Sequence, residues 1–232
     1  MRSISENLDQ IRLQIEETCK KCGRNPDEIK LIAVSKTKPN EAIFDAHTAG
    51  QLHFGENRMQ ELHEKMRSIN LPDIQWHMIG TIQSNKIKFI SDRVNWIHSV
   101  SKAKYLTEIN KRAEASGRVI NVLIQVNISG EDQKSGCEAS DLRAILDHAK
   151  NLNNIQVKGL MGLATFTENP EDVRPEFTLL RTTMDNHSTY NGGNINLTEL
   201  SMGMSGDFNV AIEEGATMIR IGSAIFGSRN YG

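Results

Sequence analysis

The chain has 232 residues, a length that suits one large domain or two small ones and lies near the low end of the range of eight-stranded β/α barrels. Its 27 Lys and Arg stand against 29 Asp and Glu, a formal charge of −2, so there is no basic field to hold nucleic acid backbone or anionic lipid. Charged residues make up 24%, and the apolar ones are spread in short runs, which excludes a fibrous or disordered chain. No apolar stretch approaches the roughly 18 residues of a membrane span. The N-terminus is charged and periodic and lacks the apolar core of a signal peptide. Three cysteines, Cys19, Cys22 and Cys137, are an odd count, and the expectation is reduced thiols in a cytoplasmic protein. Cys19 and Cys22 have redox spacing, but they close a helical pattern ahead of Gly23 with no second ligand pair, and read as ordinary cysteines.

A first amphipathic helix is predicted over 3–22, where Ile4, Leu8, Ile11 and Ile15 line one face. Ser3 and Glu6 offer a capping box, and Gly23 followed by Pro26 ends the element. Alternating β-prone runs then recur at 30–36, 51–54, 75–79, 94–99, 119–128, 157–163, 197–201 and 217–221. Helix-compatible segments lie between them at 40–49, 57–67, 102–115, 140–151 and 170–186. Strands alternating with helices imply parallel pairing through right-handed crossovers. The predicted class is α/β, a single (β/α)8 TIM barrel with an extra N-terminal helix. One domain spans 1–232, with helix and lead-in over 1–29 and the barrel over 30–232. About 25 residues per βα unit is compact but adequate. There is no internal repeat or flexible linker, and Asn191-Gly192-Gly193-Asn194 reads as a loop.

Function in such a barrel sits where the strands end. The last two exits, Ser201-Met202-Gly203-Met204-Ser205-Gly206-Asp207 and Arg220-Ile221-Gly222-Ser223, are rich in small residues, and each precedes a segment that can start a helix. Backbone N–H groups there suit phosphate, with Ser205 and Ser223 as hydroxyl donors. Ordinary tight turns are the alternative. Lys36 shares a face with Ile32 and Val34, still within its strand run, so an inward ammonium could be desolvated and made nucleophilic toward an aldehyde. Snorkelling into solvent is the commoner fate of a strand-end lysine, and it is the reading for Lys38. Arg220 lies on the face opposite Ile219 and Ile221 and points into the barrel if those two pack outside. Buried arginine keeps its charge and needs an acceptor, either a structural carboxylate or an unprotonated ligand atom.

A lysine nucleophile, a phosphate cradle and an arginine between them describe a pyridoxal 5′-phosphate site. The blocks Ala33-Val34-Ser35-Lys36, His53-Phe54-Gly55-Glu56-Asn57, Trp76-His77-Met78-Ile79-Gly80 and Gln83-Ser84-Asn85-Lys86 carry a resemblance. So do Lys134-Ser135-Gly136, Gly159-Leu160-Met161-Gly162 and the two phosphate-loop blocks, the second running on to Gly227. In this order they make the chain resemble the pyridoxal phosphate homeostasis protein family, single-domain relatives of the alanine racemase barrel (fold type III). The resemblance implies that Lys36 forms the internal aldimine. It implies phosphate binding by Ser201, Gly222 and Ser223, with Met202 and Ser205 close by. It also places Arg220 at the pyridine nitrogen, and Asn57 and His77 along the ring pocket. Thr81 stands where relatives often have histidine, while Gly206 and Ser223 replace Ala and Thr.

An arginine at the ring nitrogen stabilises carbanions poorly compared with a carboxylate. Racemases of this fold add a tyrosine base from a second domain and a partner subunit. Here Tyr105, Tyr190 and Tyr231 fall in no strand-exit block, and the chain ends at Gly232, soon after the eighth strand. The expectation is a cofactor-binding protein of vitamin B6 and amino-acid homeostasis rather than an enzyme. It would be a monomer, with no catalytic residues and no metal, and with pyridoxal phosphate-dependent apoenzymes as recipients. A slow amino-acid racemase and a phosphate-binding barrel without the cofactor are the alternatives. Trp76 and Trp96 read as packing residues, Lys86 and Lys88 as a solvated helix face, and His47, His63, His148 and His187 as no metal constellation.

Overall fold

Strands buried on both faces need helices outside and side chains inside, and the chain supplies both in alternation. A computed structural model describes residues 2–130 and 135–227. Eight parallel strands close on themselves: β1 (Lys30–Val34), β2 (His53–Glu56), β3 (Gln75–Met78), β4 (Trp96–Val100), β5 (Ile120–Gln125), β6 (Ile155–Met161), β7 (Ile195–Ser201) and β8 (Met218–Ile221). β8 returns to β1 with Leu31 opposite Ile219 and Ile32 opposite Arg220. The outer layer comprises α1 (Ile4–Cys22), α2 (Asn40–Thr48), α3 (Met59–Ser68), α4 (Ala103–Ala115), α5 (Leu142–Ala149), α6 (Arg174–Asn186), α7 (Phe208–Glu213) and α8 (Ser223–Phe226). Between β3 and β4 the connection is a 3-10 turn, Ser84–Phe89, rather than an α-helix.

α1 begins on the predicted capping box: Ser3 Oγ accepts from the Glu6 N–H at 3.2 Å while Glu6 Oε2 accepts from the Ser3 N–H at 2.6 Å. It ends on Gly23 at φ +72°, the left-handed conformation glycine adopts without strain. Its buried face of Leu8, Ile11, Ile15 and Cys19 packs over α7 and α8, and Asn7 and Thr18 tie it to Ile225 and Asn209. Cys19 and Cys137 are buried, Cys22 is exposed, and all three thiols are free.

Several strand boundaries move for identifiable reasons. Gln51, expected at the head of the second strand, instead plugs the barrel base by donating to Leu31 O and His53 O, each at 2.7 Å, so β2 starts two residues later. The long run 119–128 stops pairing as a strand at Gln125, and Val126, whose N–H still donates to Met161 O, is left with an isolated bridge to Cys137.

The interior is filled by Ile32, Trp96, Leu123, Met161 and Met218, while Leu31, Ala33, Ile219 and Ile221 belong to the larger layer under the helices. β6 and β7 approach so closely at Gly159 that a Cβ there would lie 1.9 Å from Glu199 O, and its φ is +155°. Gly159→Ala combines a backbone clash with an unfavourable φ and is expected to destabilise the barrel by about 3 kcal/mol or more in urea unfolding. A variant as stable as the parent would contradict the close β6–β7 approach.

Candidate functional site

A cavity of about 660 Å³ opens at the C-terminal ends of the strands. Six of the nine predicted site residues line it: Lys36, Asn57, Ser205, Arg220, Gly222 and Ser223. Gln125, Ser135, Asp207, Met161, Leu163 and the almost fully exposed Phe166 complete much of the wall, and Thr81 is at its edge. His77, Ser201 and Met202 are buried and do not line it.

Lys36 reaches the cavity by a different route from the one its alternation suggests. β1 ends at Val34, and Lys36 sits two residues further on, in a turn. The next residue, Thr37, has φ +63°, the one positive value at a non-glycine position among the described residues. A turn, not strand pleating, aims this lysine.

Arg220 matches its predicted direction, since Ile219 and Ile221 pack outward while it points into the barrel. Its Nη1 donates to Ser201 Oγ at 2.7 Å and its Nη2 to Gly162 O at 2.9 Å, a hydroxyl and a carbonyl rather than a carboxylate. Burial lowers its pKa to about 10, opposed by the nearby Asp207 charge, so it stays protonated at neutral pH. Asp207 is itself pushed up by burial, and its Oδ1 accepts from the Met204 N–H, closing the loop after β7.

Behind Arg220 runs a row of hydrogen-bonded side chains that sequence reasoning did not assemble. Ser201 Oγ lies 2.9 Å from His98 Nδ1. His98 Nε2 lies 2.9 Å from His77 Nδ1, and His77 Nε2 lies 3.0 Å from His53 Nδ1. His77 therefore departs from its predicted place on the ring pocket and is instead the middle link of this row, its ring stacked on Trp96 at 5.8 Å. Burial first, then neighbouring positive charge, holds His77 and His98 well below the usual histidine range, so both are neutral. Each neutral imidazole donates once and accepts once, which gives the row a single direction. The available signal was alternation, which places Trp96 with His98 on one face of β4.

The loops after β7 and β8 bring open N–H groups to the cavity. The N–H groups of Ser205 and Gly206 make no hydrogen bond among the described residues. Those of Ser223 and Ala224 open α8 and lack intrahelical acceptors. At Gly222 a Cβ would stand 3.3 Å from Val34 O, so a side chain there would crowd the end of β1. Ser201 and Met202 back this loop from the buried side. Lys134, Tyr231 and Gly232, each named in the sequence reading, lie outside the described residues.

The family model for the alanine racemase N-terminal domain matches residues 7–230. Among curated proteins, the pyridoxal phosphate homeostasis protein of Aquifex aeolicus is 42% identical over 97% of this chain and 98% of its own. That of Vibrio alginolyticus is 41% identical over the whole of both. The chain belongs to the pyridoxal phosphate homeostasis protein family. A solved structure similar to it is PipY of Synechococcus elongatus with PLP bound, 36% identical, with a TM-score of 0.84 over 97% of this chain and 100% of that one. Alanine racemase of Streptomyces lavendulae, at 16% identity and a TM-score of 0.73, covers 96% of this chain with 58% of its own length and shares the fold. In this homeostasis-family chain no described helix is long and apolar enough to cross a membrane. Among the described residues no group of three or more His, Cys, Asp or Glu could hold a metal ion.

The neutral histidine row makes stability pH-dependent. Unfolding frees His77 and His98 to protonate near pH 6.5, whereas the folded barrel keeps them neutral well below that value. Stability therefore falls as pH drops through about 6.5, by up to ~1.4 kcal/mol per pH unit for each histidine. Glu56, raised to about 6, opposes part of this between roughly pH 6 and 4.5, because the folded state takes up its proton first. Urea unfolding should show lower stability at about pH 5.5 than at about pH 7. Equal values would contradict the neutral row.

Proposed function

We propose that the cavity holds pyridoxal 5′-phosphate reversibly and that the protein serves vitamin B6 and amino-acid homeostasis. One observation carries the reading: a lysine amine, an anion cradle and a buried arginine line the same cavity. The three groups match the aldehyde, the phosphate and the accepting ring nitrogen of that cofactor. The names of the curated relatives and the bound PLP in PipY support the same ligand.

In this reading Lys36 would be the residue that holds the aldehyde end, the carbonyl oxygen leaving as water. The N–H groups of Ser205, Gly206, Ser223 and Ala224 receive the phosphate together with the Ser205 and Ser223 hydroxyls. Ser201, Met202 and Gly222 shape the floor under it. Asn57 lines one side of the ring, and Arg220 donates to the ring nitrogen. When bound, the cofactor supplies an electrophilic aldehyde conjugated to an electron-withdrawing ring. Arg220 cannot give up a proton, so it holds that nitrogen unprotonated and keeps the ring a weak electron sink. Tyr105 and Tyr190 do not line the cavity, so neither supplies a base across from Lys36. Single-domain organisation, monomeric state, a cytoplasmic location and delivery to apoenzymes belong to this proposal as well.

Adding pyridoxal phosphate to the protein should turn it yellow, and borohydride should trap the adduct on Lys36. Lys36→Ala should abolish trapping; a variant that binds equally well would refute the role. Arg220→Glu should favour a protonated ring nitrogen and change the absorption spectrum of the bound cofactor, and an unchanged spectrum would argue against contact. Incubation with single L-amino acids should leave their chirality unchanged, and D-isomer formation at a useful rate would favour the racemase reading.

A further inference from the structure

The turn that carries Lys36 is gripped from the side away from the cavity. Lys65, on α3 and only 6% exposed, donates to Ser35 O at 2.8 Å, to Glu56 Oε1 at 2.8 Å and to Glu61 Oε1 at 2.7 Å. Those three bonds use every N–H an ammonium has. Ser35 Oγ donates to the same Glu56 oxygen at 2.6 Å, and the Thr37 N–H donates to Glu61 Oε1 at 2.5 Å. The residue before Lys36 is thus held by carbonyl and hydroxyl, and the residue after it by its amide. Thr37 keeps its φ of +63° under that grip. A left-handed conformation at a β-branched residue is strained and persists only where the surroundings enforce it.

Stability alone does not account for the cluster. Glu56 is fully buried, and its Oε2 has no hydrogen-bond partner. Buried ion clusters are often no more stabilising than apolar side chains of the same volume. What the charges do here, and apolar groups would not, is bond to both neighbours of one lysine. Glu56 also directly precedes Asn57, which lines the cavity. None of Glu56, Glu61 and Lys65 lines it.

We propose that Glu56, Glu61 and Lys65 are positioning residues that set where the Lys36 amine stands at the cavity mouth. The proposal rests on the reading of Lys36 as the amine that bonds the cofactor aldehyde. The charged and polar groups facing Glu56 are Lys65, Glu61 and Ser35. Desolvation raises Glu56 to about 6, so acidification through that value discharges the carboxylate and loosens its hold on Ser35 and Lys65.

Lys65→Met strands two carboxylates and need not fold, so Glu61→Leu and Glu56→Gln are the working variants, each checked by thermal unfolding. Amide exchange at Thr37 should accelerate in Glu61→Leu. In both variants the rate of borohydride-trapped adduct formation at Lys36 with pyridoxal phosphate should fall about tenfold, the scale of a small misplacement of a reacting group. Competition by inorganic phosphate should stay unchanged, whereas general loosening of the barrel would weaken both. The parent's trapping rate should drop below about pH 6 more steeply than that of Glu56→Gln; comparing the two proteins removes the phosphate's own titration near that pH. Folded variants with parental trapping rates and parental Thr37 exchange would overturn the proposal. A parent that traps nothing at Lys36 would overturn the functional reading instead, and Thr37 exchange would still decide whether the grip exists.

Discussion

A guanidinium enclosed by a parallel barrel cannot shed its charge, and the upper half of this structure is arranged around that constraint. Arg220 is 4% exposed and gives its two hydrogen bonds to Ser201 Oγ and Gly162 O. A carboxylate in that place would neutralise the arginine and use up its donors. A hydroxyl and a carbonyl hold it while leaving its positive charge directed at the cavity. The cost of burial is met by distributed dipoles, with Asp207 at a distance from the hydrogen bonds rather than in them. Burial keeps both His98 and His77 neutral, and at His98 the guanidinium adds to it. A protonated imidazole two bonds from a buried guanidinium would add like charge in a low-dielectric interior.

Arg220 was legible in the sequence because strand alternation is local: two isoleucines flank it and both pack outward. The eight strands were legible for the same reason, although Gln51 and Val126 show how one side-chain or bridging contact moves a boundary. Lys36 was selected correctly for the cavity and by the wrong geometry. Alternation extends a strand until something stops it, and what stops β1 is a turn held by Glu56, Glu61 and Lys65, from β2 and α3. No periodicity in residues 30–36 reports that. The histidine row was invisible because its members come from β2, β3 and β4 and meet only when the barrel closes. His77 was picked out through family resemblance and placed in the wrong layer, since resemblance carries residue identity more reliably than depth.

The glycines divide in the same way. Gly159 belongs to a family-like block for a reason unrelated to any ligand, the contact of β6 with the Glu199 backbone. Gly222 belongs to another such block, and there a Cβ would stand 3.3 Å from Val34 O, again a strand contact, although Gly222 itself lines the cavity. Sequence blocks mark both alike, and only the position of Gly222 on the cavity wall separates the two.

Two polar systems therefore flank one cavity, and their titrations bear on each other. Inside the barrel, the row from His53 to Ser201 orders itself only while its imidazoles are neutral. The unfolded chain, which takes up those protons near pH 6.5, gains on the folded one as acid is added. Outside it, Glu56 holds the Lys36 turn as a carboxylate and is raised to about 6 by its own burial. The two systems move folding stability in opposite directions on acidification, and of the two only the Glu56 anchor changes charge in the folded protein near pH 6. Below pH 6 the turn loses its charged anchor while the row stays neutral in the folded barrel; near neutrality both are in the form the geometry shows. The carboxylates of the grip stay behind the Lys36 turn, so among the described residues the cavity wall carries Lys36, Lys38, Arg58 and Arg220 against the single carboxylate of Asp207, a balance that favours an anionic ligand.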